Sequence, residues 1–264
     1  NEERVGKKVL KINNIHIDEV VKRVSKVTGE DNQYGKLKAL PFIINVAEVL
    51  KYYGIGNSIT QVTLELENEL GKSESVSFET QPYFDNLMKL FRGYIPAVSD
   101  EQLTSMNVNS SNPLPLWLTH TLWFSDEDQN YWFKYLEDKN TYYLQINSLN
   151  HKSSEDFTAF INRMFKELDG NKAQKLIVDL RLNDGGNHIE MPLIKGILAR
   201  PELDKPENLF VLISRVTFSG PQHVTSILSR YTKATLMGQP TSGRRNHYGA
   251  VRPFSTPNNK GFTF

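Results

Sequence analysis

From residue 141 onward, strand-sized apolar runs alternate with helical apolar periodicity, and this alternation constrains the chain more than any other feature. Segments 141–147, 175–180, 209–213 and 234–237 read as strands. Between them Phe157, Phe160, Ile161, Met164 and Phe165 recur at helical spacing behind Ser153 or Ser154 as cap, and 189–198 and 219–230 read as two more helices. The run from Leu209 to Ile213 has no polar alternation, as expected of a strand covered on both faces. Such a succession predicts an α/β domain with mostly parallel strands. A further strand is expected at 249–253, and an aromatic one at 131–135.

The first 80 residues follow a different pattern. A short strand around Val9 to Ile12 ends at the Asn13 and Asn14 turn, and Asp18 reads as the cap of a helix over 19–27. A second helical periodicity runs from Leu40 through Leu50 to Tyr53 and stops at Gly54. Strict alternation over 60–67 and again over 75–79, with a turn near Gly71, predicts a hairpin. Residues 1–80 are therefore expected to form a small α+β module, 81–130 a proline-containing linker and lead-in segment, and 131–264 the α/β core.

Composition removes several functional classes. Lys and Arg total 31 against 30 for Asp and Glu, so nothing in the charge balance draws the chain to nucleic acid. With no cysteine there are no disulfides, thiolate nucleophiles or Cys-ligated metals. The histidines at 16, 120, 151, 188, 223 and 247 lack zinc-motif spacing, and no metal or other cofactor is expected. Asp126, Asp128 and Asn130 with Glu137 imitate calcium-loop oxygens, but Tyr131 stands where that loop requires glycine. No apolar run reaches the roughly 18 residues that span a bilayer. The sequence starts at Asn1 and ends in what reads as the opening of a strand, so it is expected to be part of a longer chain.

Two loops that follow apolar strands concentrate the chemistry: Asp179 to Asn187, and Ser214 to His223. Gly185 and Gly186 either make a tight turn or let backbone N–H groups approach a ligand. Ser219 and Gln222 fit a capping box with Pro221 near the helix start. Equally, Ser219 at a helix N-terminus, with the Gly220 N–H beside it, suits a nucleophile facing a developing oxyanion. The sequence around Ser219 is not the Gly-x-Ser-x-Gly of α/β-hydrolases.

The ordered set of three segments, 176–187, 210–220 and 238–249, resembles the tail-specific (C-terminal-processing) serine peptidases, in particular the tricorn-core-like branch. The resemblance implies a crotonase-like superhelical core preceded by a PDZ-like module. It further implies an extracytoplasmic bacterial enzyme that cleaves polypeptides through an acyl-enzyme. Carried over, Ser219 matches the nucleophile, and Gly220 with Gly185 or Gly186 matches the oxyanion amides. Asp179, Arg181 and Asn183 are expected to shape the glycine loop. One branch keeps a lysine base where this chain has Arg244, and arginine does not deprotonate in proteins. His247 is the imidazole of the third segment, expected as base or substrate contact, while Arg244 and Asn246 are expected to contact substrate. In the tricorn-like branch the base is an upstream His with a late acidic partner, both expected outside these residues. The alternatives are a catalytically inactive peptide-binding scaffold and an acyl-thioester enzyme of crotonase-like fold. The sequence leaves the oligomeric state open.

Overall fold

The computed structural model describes residues 4, 7–80, 122, 126 and 129–246, together with the backbone of two short strands, Pro253–Ser255 and Gly261–Thr263. The chain divides into two compact units, one of residues 1–30 and 36–125, the other of residues 31–35 and 126–264. Most of the expected linker, residues 81–121, lies outside the described residues.

In the first unit β1 (Lys8–Ile12) and β2 (Ile15–His16) form a hairpin. Asn13 and Asn14 turn it with φ of 48° and 67°, the left-handed geometry a two-residue turn requires. Then come α1 (Ile17–Val24), α2 (Gln33–Ile44, of which residues from 36 on belong to this unit), α3 (Ala47–Tyr52), β3 (Gln61–Glu67) and β4 (Ser73–Glu79), giving an antiparallel sheet ordered β2-β1-β3-β4. Ile12, Val20, Val24, Leu40, Leu50 and Ile55 are its buried core.

Two sequence expectations shift here. Helix α1 starts before Asp18, because His16 is the cap and its Nδ1 accepts from the Asp18 N–H at 3.3 Å. Asp18 and Glu19 instead sit in the first turn, where the macrodipole favours negative charge. The periodic stretch from Leu40 to Tyr53 is two helices, broken where Val46 adopts an extended conformation (φ −101°, ψ 106°).

The second unit carries β5 (Tyr131–Leu136), β6 (Thr141–Ile146), α4 (Phe157–Gly170), β7 (Lys175–Asp179), α5 (Met191–Leu198), β8 (Leu209–Ile213), α6 (Gly220–Tyr231) and β9 (Thr235–Gly238). Its five-stranded sheet is ordered β5-β6-β7-β8-β9. Strands β5 and β6 pair antiparallel, and the remaining pairs are parallel. Each crossover steps one strand in the same direction, so right-handed connections put the three helices on one face. There α4 packs on α5 and α5 on α6. Gly196 lets α5 approach the Phe165 ring of α4 so closely that a Cβ would collide with it.

Leu144, Ile146, Leu176, Val178 and Val211 meet Ile161, Met164, Leu193, Ile197, Val224 and Leu228 in one buried core. Tyr131 is fully buried against Phe157 and Phe160, so the apparent calcium-loop residue is a core aromatic. The cap of α4 is Asp156, whose carboxylate accepts from the Ala159 N–H at 2.9 Å, and not Ser153 or Ser154. A two-stranded antiparallel pair, β10 (Pro253–Ser255) with β11 (Gly261–Thr263), completes the described elements. No described helix is long and apolar enough to cross a membrane.

Candidate active site

Because β7, β8 and β9 run parallel, the loops that follow them emerge at the same end of the sheet, where sites in such folds form. The first loop is fixed from below by Asp179, which is 1% exposed. Its carboxylate accepts from the Arg181 backbone N–H at 3.0 Å and from both Nε and Nη2 of the Arg181 guanidinium, and also takes the Tyr143 hydroxyl at 2.5 Å. Burial, and next the Asp179 charge, push the Tyr143 phenol well above its ordinary value. Burial works to lower the pKa of the Arg181 guanidinium, but the hydrogen bond to Asp179 and the charge of Asp179 outweigh it and raise it above its ordinary value.

Beyond this clamp the fully buried Asn183 accepts the Gly185 N–H on its Oδ1 at 2.9 Å. Gly185 and Gly186 have φ of 147° and 135°, which side chains rarely tolerate. They form a short parallel bridge with Leu149: the Leu149 N–H donates to Gly185 O at 3.1 Å and the Asn187 N–H to Leu149 O at 2.8 Å. A Cβ on Gly186 would lie 2.7 Å from the Leu149 backbone, so glycine is required there.

Thr217, wholly buried, ties the three loops together. Its hydroxyl donates to Leu180 O at the end of β7 and accepts from the Ser214 N–H just after β8. Its carbonyl accepts from the Ser242 N–H in the loop after β9 at 3.3 Å. The Ser214 hydroxyl donates to Arg181 O at 2.6 Å, and the Phe218 N–H donates to Asn183 O at 3.2 Å. The β8 loop is thereby laid along the glycine loop.

Ser219 heads α6 with φ 59° and ψ −118°, a strained conformation for a residue with a side chain. The capping box expected from Ser219 and Gln222 is not formed: Ser219 makes no side-chain cap hydrogen bond, because the cap needs an extended backbone and this one is left-handed. Among the described residues no side chain hydrogen-bonds the Ser219 hydroxyl. Gly185 is its neighbour, and a Cβ there would stand 3.3 Å from Ser219 Cβ and 3.7 Å from its Oγ. Gly220 packs against Leu149, near the Gly186 and Asn187 carbonyls.

The structure therefore brings together Ser219, Gly220, Gly185 and Gly186. It commits the Gly185 N–H to Asn183, whereas the Gly186 N–H has no hydrogen-bond acceptor among the described residues. Arg244 and Asn246 are exposed, and Arg244 lines a groove along α6 with Gln222, Thr225 and Ser226, of which Ser219 is not a wall. His247 lies outside the described residues.

Two features escaped sequence reasoning. The part of Thr217 that ties the loops together has no local signature, since its partners beyond Ser214 lie 37 and 25 residues away. The donor atoms of His188, Glu190 and His223 gather within 4.8 Å of one another although their spacing matches no metal motif.

The second unit thus sets a strained serine at a helix N-terminus against a double-glycine loop. Residues 140–206 match the family model of peptidase family S41. That segment runs from the start of β6 past α5, and over it the chain is similar to the S41 peptidases. Among solved structures, mature CPAF shares the fold at a TM-score of 0.54 and 13% identity, over 96% of this chain and 66% of that one. Mature CPAF complexed with lactacystin gives 0.52 at 13% identity, over 98% and 69%. The chain thus spans about two thirds of the length of CPAF. None of the curated proteins compared by sequence matches it.

Proposed function

We propose that the chain carries the core of a serine endopeptidase of the tail-specific type, which cleaves polypeptides through an acyl-enzyme on Ser219. The observation that carries this reading is the Ser219 conformation. Strain of about 1–3 kcal/mol is held at a serine whose hydroxyl makes no cap and which faces Gly185. A side chain needed only for structure would relax into the cap.

In the proposed reaction Ser219 Oγ attacks the scissile carbonyl while a general base takes its proton. The oxyanion sits between the N–H groups of Gly220 and Gly186, with the positive end of the α6 dipole behind it. As the C–N bond breaks, the amine leaves with the proton held by the base, and water then releases the acyl group by the reverse route. Arg244 does not serve as the base; with Asn246 it contacts the polypeptide, and His247 is assigned as base or substrate contact.

The five-stranded unit, with each crossover stepping the same way, is read as a turn of the crotonase-like superhelix. The first unit is read as a PDZ-like module that presents substrate. It offers an apolar groove lined by Ile44, Val46, Ile59, Val62, Leu64 and Phe78, apt for an extended peptide. The enzyme is assigned to an extracytoplasmic bacterial setting. The test is labelling of the full-length protein by a fluorophosphonate probe, with the labelled peptide located by mass spectrometry. Label on Ser219, absent in Ser219→Ala, is expected. Failure of the folded protein to label would leave a peptide-binding scaffold as the better account.

A further inference from the structure

We propose that His188, Glu190 and His223 form a binding site for one divalent transition-metal ion of the zinc class, which pins the glycine loop to the first turn of α6. The assignment does not depend on the chemistry of Ser219.

Glu190 stands at the start of α5 and is 5% exposed, yet it makes no side-chain cap hydrogen bond. One carboxylate oxygen lies 3.5 Å from His188 Nδ1. The other, Oε2, is buried with no hydrogen-bond partner. A buried carboxylate oxygen left without a donor is costly, and such atoms are rare unless something outside the protein satisfies them. The His188 and His223 rings stack beside it, with centroids 5.0 Å apart and planes 23° from parallel. All three residues thus present donor atoms within 4.8 Å of one another.

Two imidazoles and one carboxylate are a donor set that suits zinc, with a water in the fourth position. Hard cations such as calcium and magnesium prefer all-oxygen shells. Bonds of about 2.0–2.1 Å in a tetrahedral shell place ligand atoms about 3.4 Å apart, so the trio closes by side-chain rotation. His188 is on the surface and has room to turn, while Glu190 and His223 are anchored at helix starts. A bound ion would satisfy the orphaned oxygen and share out the negative charge.

Position gives the site its consequence. His188 follows directly on the glycine loop, and the His223 backbone N–H donates to Ser219 O at 3.1 Å. An ion held by both histidines bridges the loop carrying Gly185 and Gly186 to the turn carrying Ser219 and Gly220. The trio escapes motif searches because His223 joins the other two only through the parallel packing of β7 and β8.

The test is calorimetric titration of zinc chloride into full-length protein stripped with a chelator, with thermal unfolding followed in parallel. One saturable equivalent is expected, with a rise in Tm on zinc addition. Glu190→Gln and His223→Gln are each expected to weaken binding by at least about 100-fold and to remove the Tm rise, since loss even of residues behind the ligands costs 10–100-fold. If the Glu190 variant does not fold, His188→Gln, at an exposed side chain, reads the same site. His16→Gln, in the other unit, is expected to leave zinc binding and the zinc-dependent Tm rise unchanged. Absence of saturable zinc binding, or binding that these variants leave intact, would overturn the site.

Discussion

Gly185 presents its bare α-carbon to Ser219, so that a methyl group placed there would stand 3.7 Å from the serine Oγ. Two glycine substitutions should therefore part company. Gly185→Ala, strained at φ 147° but without a backbone clash, is expected to cost less stability than Gly186→Ala and to cut Ser219 reactivity by about 10²-fold, because its methyl crowds the serine and displaces the attacking hydroxyl. Gly186→Ala drives a Cβ to 2.7 Å from the Leu149 backbone and should destabilise the unit outright. Urea unfolding beside probe labelling distinguishes the two.

Ser219→Gly should abolish labelling while raising stability by about 1 kcal/mol, because glycine adopts φ near 59° without strain. Equal or lower stability of that variant would mean the strain is not there to release. Chemical denaturation at neutral pH measures it.

Thr217→Val keeps the shape but removes the hydroxyl that joins Leu180 O to the Ser214 N–H. The Ser214 N–H loses its partner while Leu180 O keeps the Asn183 N–H at 3.1 Å, so the expected cost is about 1–3 kcal/mol. The cost should fall on the second unit alone, visible as a lowered urea midpoint in its transition. Labelling should drop with it, since the loops lose their common anchor.

The Tyr143 phenol makes stability depend on alkaline pH. Its ionisation is held above the unfolded value of about 10, first by burial and then by Asp179, so the folded state keeps a proton the unfolded state releases. The contribution is complete below pH of about 10 and is lost as pH rises beyond it. Tyr131 and Tyr142 are raised too, by burial, and add in the same direction. Tyr143→Phe is therefore expected to flatten, without abolishing, the fall in stability above pH of about 10, as read from denaturant midpoints across that range.

What the sequence determined by itself was whatever short-range burial dictates. The unbroken apolar run of β8 came out at residues 209–213 as read, and so did the strand-helix alternation around it, because a strand or helix must hide its apolar positions at a fixed period. Asn13 and Asn14 announced their turn by residue chemistry alone. Helix starts were less legible: Ser153 or Ser154 read as the cap of α4, whereas the cap is Asp156, immediately before the buried Phe157. At Ser219 the sequence allowed either a cap or an uncommitted hydroxyl. The tertiary structure decided, since the β8 loop, sewn to β7 through Thr217 and Asn183, delivers the serine with a left-handed backbone that forbids the cap. The committed Gly185 amide and the His188, Glu190 and His223 cluster likewise exist only once neighbouring parallel strands bring their loops to one end. Hydrogen bonds and donor sets that close across tens of residues leave no period in the chain, because nothing local depends on them.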